Sequence, residues 1–367
     1  MKTKNNNNWL IIIIYYFIFF FYNFYDFYNF YDLKKKYKII YIMIKLSNNS
    51  INFINIILDK QKTKGSIYYK KLYEYLDKFS YNISNQNIKI TKKKLNIKIN
   101  KNKFLSETIK NEIYKLKQYH LVTFNVNKNK VKLHIYHDQD ITTFINTIII
   151  YINYIYNLSK AKKDVTIYYY LTNYKKKMKT KILTPDQVNT GSTNMLTGVI
   201  QIWRQEEVYK TTIHELIHLF HLDGFHCLEL SEYYKKKYQC TSQDVLINEA
   251  VTDFWAILIN IFLTTKLVNK SYDEFVLFIN CEKTFIKYQA QKILNLNKNY
   301  NLYTNVLSYY VVKAELFENL SRTLKIIDVK INNYNKLYKY LQTIKKIQQN
   351  KNINDKTLRM SIIELNV

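Results

Sequence analysis

Residues 214–218 read His-Glu-Leu-Ile-His inside the run Thr211–Phe220. On a helix, positions i and i+4 share one face about a turn apart. Two imidazoles at that spacing can meet one zinc ion, which in catalytic sites takes three protein ligands and keeps a fourth position open. Glu215 stands beside the first histidine and off the direct line to the metal. A carboxylate there can act as general base on a zinc-bound water. An amphipathic core helix with two satisfied histidines has the same spacing, so a third ligand has to decide.

A third ligand is available 31 residues after His218. Glu249 and Asp253 are an i, i+4 carboxylate pair on a segment that is otherwise strongly apolar (Val245, Leu246, Ile247, Val251, Phe254, Trp255, Ile257, Leu258). Carboxylates on so apolar a helix are rarely just solvated. Glu249 can complete the ligand set His214, His218, Glu249. Asp253 can accept the free imidazole N–H of a zinc-bound histidine and so fix its tautomer. A third histidine in the spacing His-x-x-Gly-x-x-His is absent, because residue 221 is His and residue 224 is Gly. His221 and His226 are read as rim residues, with His226 a candidate for substrate or transition-state binding. Cys227 is a weaker candidate as a soft ligand. Tyr309 and Tyr310 are candidates to give an O–H to the oxyanion.

The elements that must hold these groups follow from composition and periodicity. The chain has 367 residues, 47% hydrophobic, which is enough for one large domain or two ordinary ones. Three cysteines exclude a disulfide-stapled module and a multi-cysteine zinc ribbon. Four glycines and one proline leave no glycine-rich phosphate loop. Pro185, Gly191, Gly198 and Gly224 nonetheless crowd into one window beside the histidines, where backbone geometry demands them. Gly191 is expected at a turn or a close backbone approach, Gly224 at the end of the histidine helix, and Arg204 in a structural ion pair. The net charge of +28 comes from lysines scattered along the chain. Codon bias plus solvation accounts for it better than a nucleic-acid surface, because arginine is nearly missing and no recognition module is present.

Residues 1–45 form a hydrophobic, low-complexity leader. Its apolar run 9–22 is shorter than the roughly 20 residues a spanning helix needs. Membrane anchor, failed signal peptide and sequence upstream of a start at Met43 all stay open, the last being favoured. Asn87–Asn100 reads as one or two strands, Leu121–His137 as a hairpin, Thr142–Leu158 as a helix, Asp164–Leu171 as a buried strand and Gly198–Trp203 as a short strand. Helices are expected over Gln205–Leu222, from a capping box Thr241/Asp244 to Phe262, from a second box Ser271/Glu274, and over Thr304–Leu320. Strands first and helices afterwards mean an α+β fold: a mixed sheet packed on the active-site helix, then a mainly helical C-terminal half. The regions are 1–45 leader, 46–118 Lys/Asn-rich, 119–265 catalytic core and 266–367 helical.

His214-Glu215-x-x-His218 followed by Asn248-Glu249-x-x-x-Asp253 resembles the gluzincin metallopeptidases, the thermolysin-like and neprilysin-like zincins. Asn189-Thr190-Gly191-Ser192-Thr193 and Ile200–Glu207 are similar to stretches in zinc metalloproteinases encoded by large nucleocytoplasmic DNA viruses. The resemblance covers about residues 164–315. It implies a zincin fold, one Zn2+ per chain held by His214, His218 and Glu249, Glu215 as base, and hydrolysis of peptide bonds in a protein or peptide substrate. By analogy with zincins, the Gly198–Trp203 strand is the candidate to pair with extended substrate. No specific nucleic-acid partner is expected, and a membrane only if residues 9–22 anchor the chain. An intracellular location is favoured, host cytoplasm or virion if the chain is viral. The alternatives are a catalytically degenerate zinc-binding module and a basic polyanion-binding protein with structural histidines.

Overall fold

The computed structural model describes residues 44–58, 65–81, 87–99, 102–224, 227–240, 245–296, 303–348 and 355–367. Residues 1–43 of the expected leader, His226 and the Thr241/Asp244 capping box lie outside the described residues.

Six strands form one mixed sheet in the order β1-β2-β3-β4-β6-β5. They are β1 Lys89–Lys92, β2 Gln118–Val126, β3 Asn129–His137, β4 Val165–Tyr170, β5 Gly191–Asn194 and β6 Val199–Ile202. β2 and β3 make the expected hairpin. Its two-residue turn places Asn127 and Lys128 both at positive φ (49° and 72°), the conformation that suits a tight hairpin. Alternation then puts Val122, Phe124 and Val126 of β2, with Val131, Leu133 and Ile135 of β3, on one fully buried face. Among the described residues of the Asn87–Asn100 stretch, only Lys89–Lys92 pairs as a strand.

β3, β4 and β6 run parallel. Parallel neighbours need a crossover, and the helix Thr142–Ser159 supplies it between β3 and β4. β5 returns antiparallel on β6 and is the edge of the sheet. This corrects the expectation for the substrate-side strand. Gly198–Trp203 corresponds to β6, whose two sides are already occupied by β4 and β5, so it has no free edge to offer.

The histidine helix Val208–Leu219 is buried along its whole length. It packs on the crossover helix through rings such as Tyr151 and Tyr209, 5.2 Å apart, and on the helix Ile247–Leu267. That second helix is long and apolar enough to cross a membrane, yet 89% of its apolar window is buried within the protein. The C-terminal half is helical, as expected. Its helix Tyr272–Leu294 opens with the Ser271/Glu274 capping box, the Ser271 N–H donating to Glu274 Oε2 at 3.0 Å. The stretch expected as one helix over Thr304–Leu320 starts instead as a π-helical turn, Leu307–Val312, and continues as Lys313–Glu318.

The last residues thread the core. The N–H groups of Met360 and Ser361 donate to Glu207 Oε1 at 2.8 and 2.7 Å, and those of Ile362 and Ile363 to Glu282 Oε1 at 2.9 and 2.7 Å. The helix Asn48–Leu58 packs on Tyr272–Leu294 in the same unit, Ile44–Val367.

Candidate metal centre

The histidine helix ends sooner than Gly224. His221 takes the left-handed conformation (φ 54°), and its N–H and that of Leu222 bond back to His218 and Ile217 carbonyls, both at 3.0 Å. The chain then doubles back, and Asp223 reaches His218: Oδ2 lies 2.8 Å from Nδ1. Gly224 follows at φ 77°, against Tyr334, where a Cβ would come within 2.9 Å of the ring. Its role is close packing rather than the helix stop.

Three ligand atoms from the two packed helices converge. His214 Nε2 and His218 Nε2 are 3.1 Å apart, and Glu249 Oε2 lies 3.4 Å from the first and 3.2 Å from the second. Tetrahedral zinc with bonds of 2.0–2.1 Å spaces its ligands about 3.4 Å apart, so the triangle fits one such ion. The outer nitrogens point away to carboxylates, His214 Nδ1 lying 3.3 Å from Asp253 Oδ1 and His218 Nδ1 bonding Asp223. With N–H on both Nδ1 atoms, two imidazole lone pairs and a carboxylate face one another. That arrangement calls for positive charge at its centre, from protons or from a cation. The electrostatics agree. Burial pulls the His214 and His218 pKa values down, but their carboxylate neighbours outweigh it and raise both, His218 strongly. Burial likewise opposes ionisation of Glu249, yet the two histidines hold it far below the usual carboxylate range.

Glu215 is buried and turned toward the edge strand. The Thr193 hydroxyl of β5 donates to its Oε2 at 2.7 Å and to its backbone carbonyl at 3.1 Å. Gly191 lies against the other oxygen: a Cβ there would stand 2.6 Å from Glu215 Oε1 and 2.9 Å from Thr211 Cγ2. The close approach expected at Gly191 is therefore an approach to Glu215 itself. Thr190, Gly191, Thr211, His214, Glu215 and Tyr309 line one small cavity.

Asp253 is fully buried and gripped by two ammonium groups, Lys210 at 2.7 Å and Lys313. Burial disfavours its charge, but the lysines and His214 keep its carboxyl well below its ordinary value. Behind it, Lys176 pairs with Glu207 at 2.8 Å, both side chains about 1% exposed. Burial brings Lys176 down to about 8 against the pull of Glu207. Lys176, in a lysine-rich stretch of the chain, is thus a core residue.

The two tyrosines separate. Tyr309, on the π-helical turn, lies with its ring centre 6.1 Å from that of His214. Burial and the nearby Glu249 and Glu215 raise its phenol well above the usual value, so it keeps its proton. Tyr310 faces the other way and donates to the Leu358 carbonyl at 2.6 Å, so it offers no O–H to the histidines. Arg204 is structural, but its guanidinium bonds the backbone carbonyls of Asn189, Tyr174 and Asp186 rather than forming the expected ion pair. His221 is exposed on the turn, and Cys227 precedes the helix Leu228–Tyr238, outside the ligand triangle.

Sequence reasoning missed Asp223, Thr193, Lys210 and Lys313. Lys210 had a signal: it sits four residues before His214, on the same helix face. Asp223 stands just past the helix end, but nothing in the sequence shows that the chain turns back there. No known family profile, curated protein or solved structure matches the chain.

Proposed function

We propose that the chain is a zinc-dependent peptidase of the gluzincin type, its mixed sheet, edge strand and histidine helix forming a zincin-like core. The observation that carries this reading is the convergence of His214 Nε2, His218 Nε2 and Glu249 Oε2 within 3.1–3.4 Å, beside a glutamate held by the edge strand. Zinc held by these three residues would supply Lewis acidity toward a carbonyl oxygen and a nucleophile from water near neutral pH.

The chain's own residues do the rest. Asp253 and Asp223 hold the two imidazoles with their Nε2 atoms inward. Glu215, oriented by Thr193, takes the proton during attack on the scissile bond and returns it to the leaving amine. Tyr309, lining the same cavity as His214 and Glu215, is the candidate hydrogen-bond donor to a developing oxyanion. The outer edge of β5, the end of the sheet, is where an extended peptide would add as a further strand.

Metal analysis of the purified chain, followed by assay on an unfolded protein substrate, tests the reading. One tightly held zinc and peptide-bond cleavage, both lost in His218→Ala, support it. Zinc without cleavage would favour the non-catalytic binding module.

A further inference from the structure

A second pair of histidines lies on the sheet, apart from the site above. β2 and β3 carry Gln118, His120 and His137 on the same face as the core residues Val122 and Ile135, so the apolar face ends in polar side chains. His120 Nδ1 and His137 Nε2 stand 2.8 Å apart. His137 is buried, and its Nδ1 lies 2.7 Å from the Gln139 carbonyl. A carbonyl only accepts, so His137 Nδ1 carries the hydrogen and its Nε2 presents a lone pair toward His120. An imidazole with its outer N–H tied to a carbonyl is the arrangement that orients a metal-binding histidine. The pair opens onto a cleft of about 360 Å3, whose wall includes Asp138, Asp140 and Gln118.

We propose that His120 and His137 form a second cation site, for a borderline divalent ion such as Zn2+, Ni2+ or Cu2+, with water completing its coordination. Imidazole suits these ions. On binding, His120 carries its proton on Nε2 and turns its Nδ1 lone pair to the ion. The two nitrogens need to separate by only about half an ångström, and His120 is half-buried and lines the cleft. Lys92 opposes the ion and Asp138 and Asp140 favour it. This makes the site weaker than the His214/His218/Glu249 triangle.

The test is a titration of the metal-stripped full chain with Zn2+ against a chromophoric chelator, for wild type, His218→Ala and His120→Ala. Two classes of site are expected. His218→Ala should remove only the tight one, and His120→Ala should weaken only the second, by at least tenfold. A single site in wild type, or an unchanged second site in His120→Ala, overturns the proposal. Anomalous scattering from zinc-soaked crystals of the wild-type chain gives the same answer without a substitution. A peak between His120 and His137 supports the site, and no peak there overturns it. Failure here leaves the tight site, and the peptidase reading, untouched.

Discussion

Gly191 and Glu215 stand so close that a Cβ on residue 191 would lie 2.6 Å from Glu215 Oε1. The edge strand thus sets where the glutamate can be, and only a glycine lets β5 come near enough for Thr193 to hold its other oxygen. In Gly191→Ala the carboxylate or the strand must shift. Misplacement by about 1 Å can cost on the order of 10²-fold in rate. Peptide hydrolysis by Gly191→Ala should fall by about that factor, while its zinc content, set by other residues, stays at the wild-type level. Equal kcat for the two proteins would remove Gly191 from the site.

Asp223 bonds the outer nitrogen of His218, and Asp253 Oδ1 lies 3.3 Å from that of His214. Loss of such a partner typically weakens metal binding about 10–100-fold. Asp223→Ala should show that loss in a zinc competition titration, with little change in fold. An unchanged zinc affinity would mean that the 2.8 Å contact does not orient His218.

Asp253 has a second duty, since it neutralises Lys210 and Lys313 in the core. Removing one partner of a buried ionic cluster costs about 3–5 kcal/mol, because the charges left behind cannot be solvated. Asp253→Ala should therefore lower the unfolding free energy by that much, read from denaturant titrations of the metal-free protein. A midpoint like that of the wild type would show that the lysines find water.

Glu282 predicts a pH dependence of stability. Burial raises its pKa from 4.5 to about 7, although Ser361 and the N–H groups of Ile362 and Ile363 oppose the shift. Between those values the folded chain holds a proton that the unfolded chain has released. Stability from this group is therefore present below pH 4.5 and falls as pH rises through 7. At 1.36 kcal/mol per pH unit, the loss is about 3 kcal/mol. Glu282→Gln keeps the accepting oxygen and removes the titration. The difference between wild-type and mutant unfolding energies should slope across pH 4.5–7, and a flat difference would contradict the assignment.

The sequence shows the two site helices because their signals are local. His214, Glu215 and His218 share a helix face by spacing alone, and Glu249 and Asp253 stand out as acids on an apolar helix. The hairpin, the crossover helix and β4 are read from periodicity in the same way. The edge strand is harder to see. Gly191–Asn194 reads Gly-Ser-Thr-Asn, with no apolar alternation to mark it, so β6 takes its place in the sequence reading. Partners distant in the chain are hidden too. Lys176 looks like one lysine of a solvated loop until Glu207 is seen beside it, and Lys313 like a surface residue until Asp253 is. The helix stop at His221 is invisible because a histidine, not a glycine, adopts the left-handed turn.

The central claim is that His214, His218 and Glu249 hold zinc while Glu215 moves the proton. Zinc content and peptide hydrolysis, measured side by side for wild type and Glu215→Gln, test it most directly. Both proteins should hold one tight zinc per chain, and the mutant should lose activity by about 10²–10⁴-fold, the usual contribution of general acid–base catalysis. A wild-type chain without tightly bound zinc, or a Glu215→Gln chain that cleaves at the wild-type rate, would contradict the account.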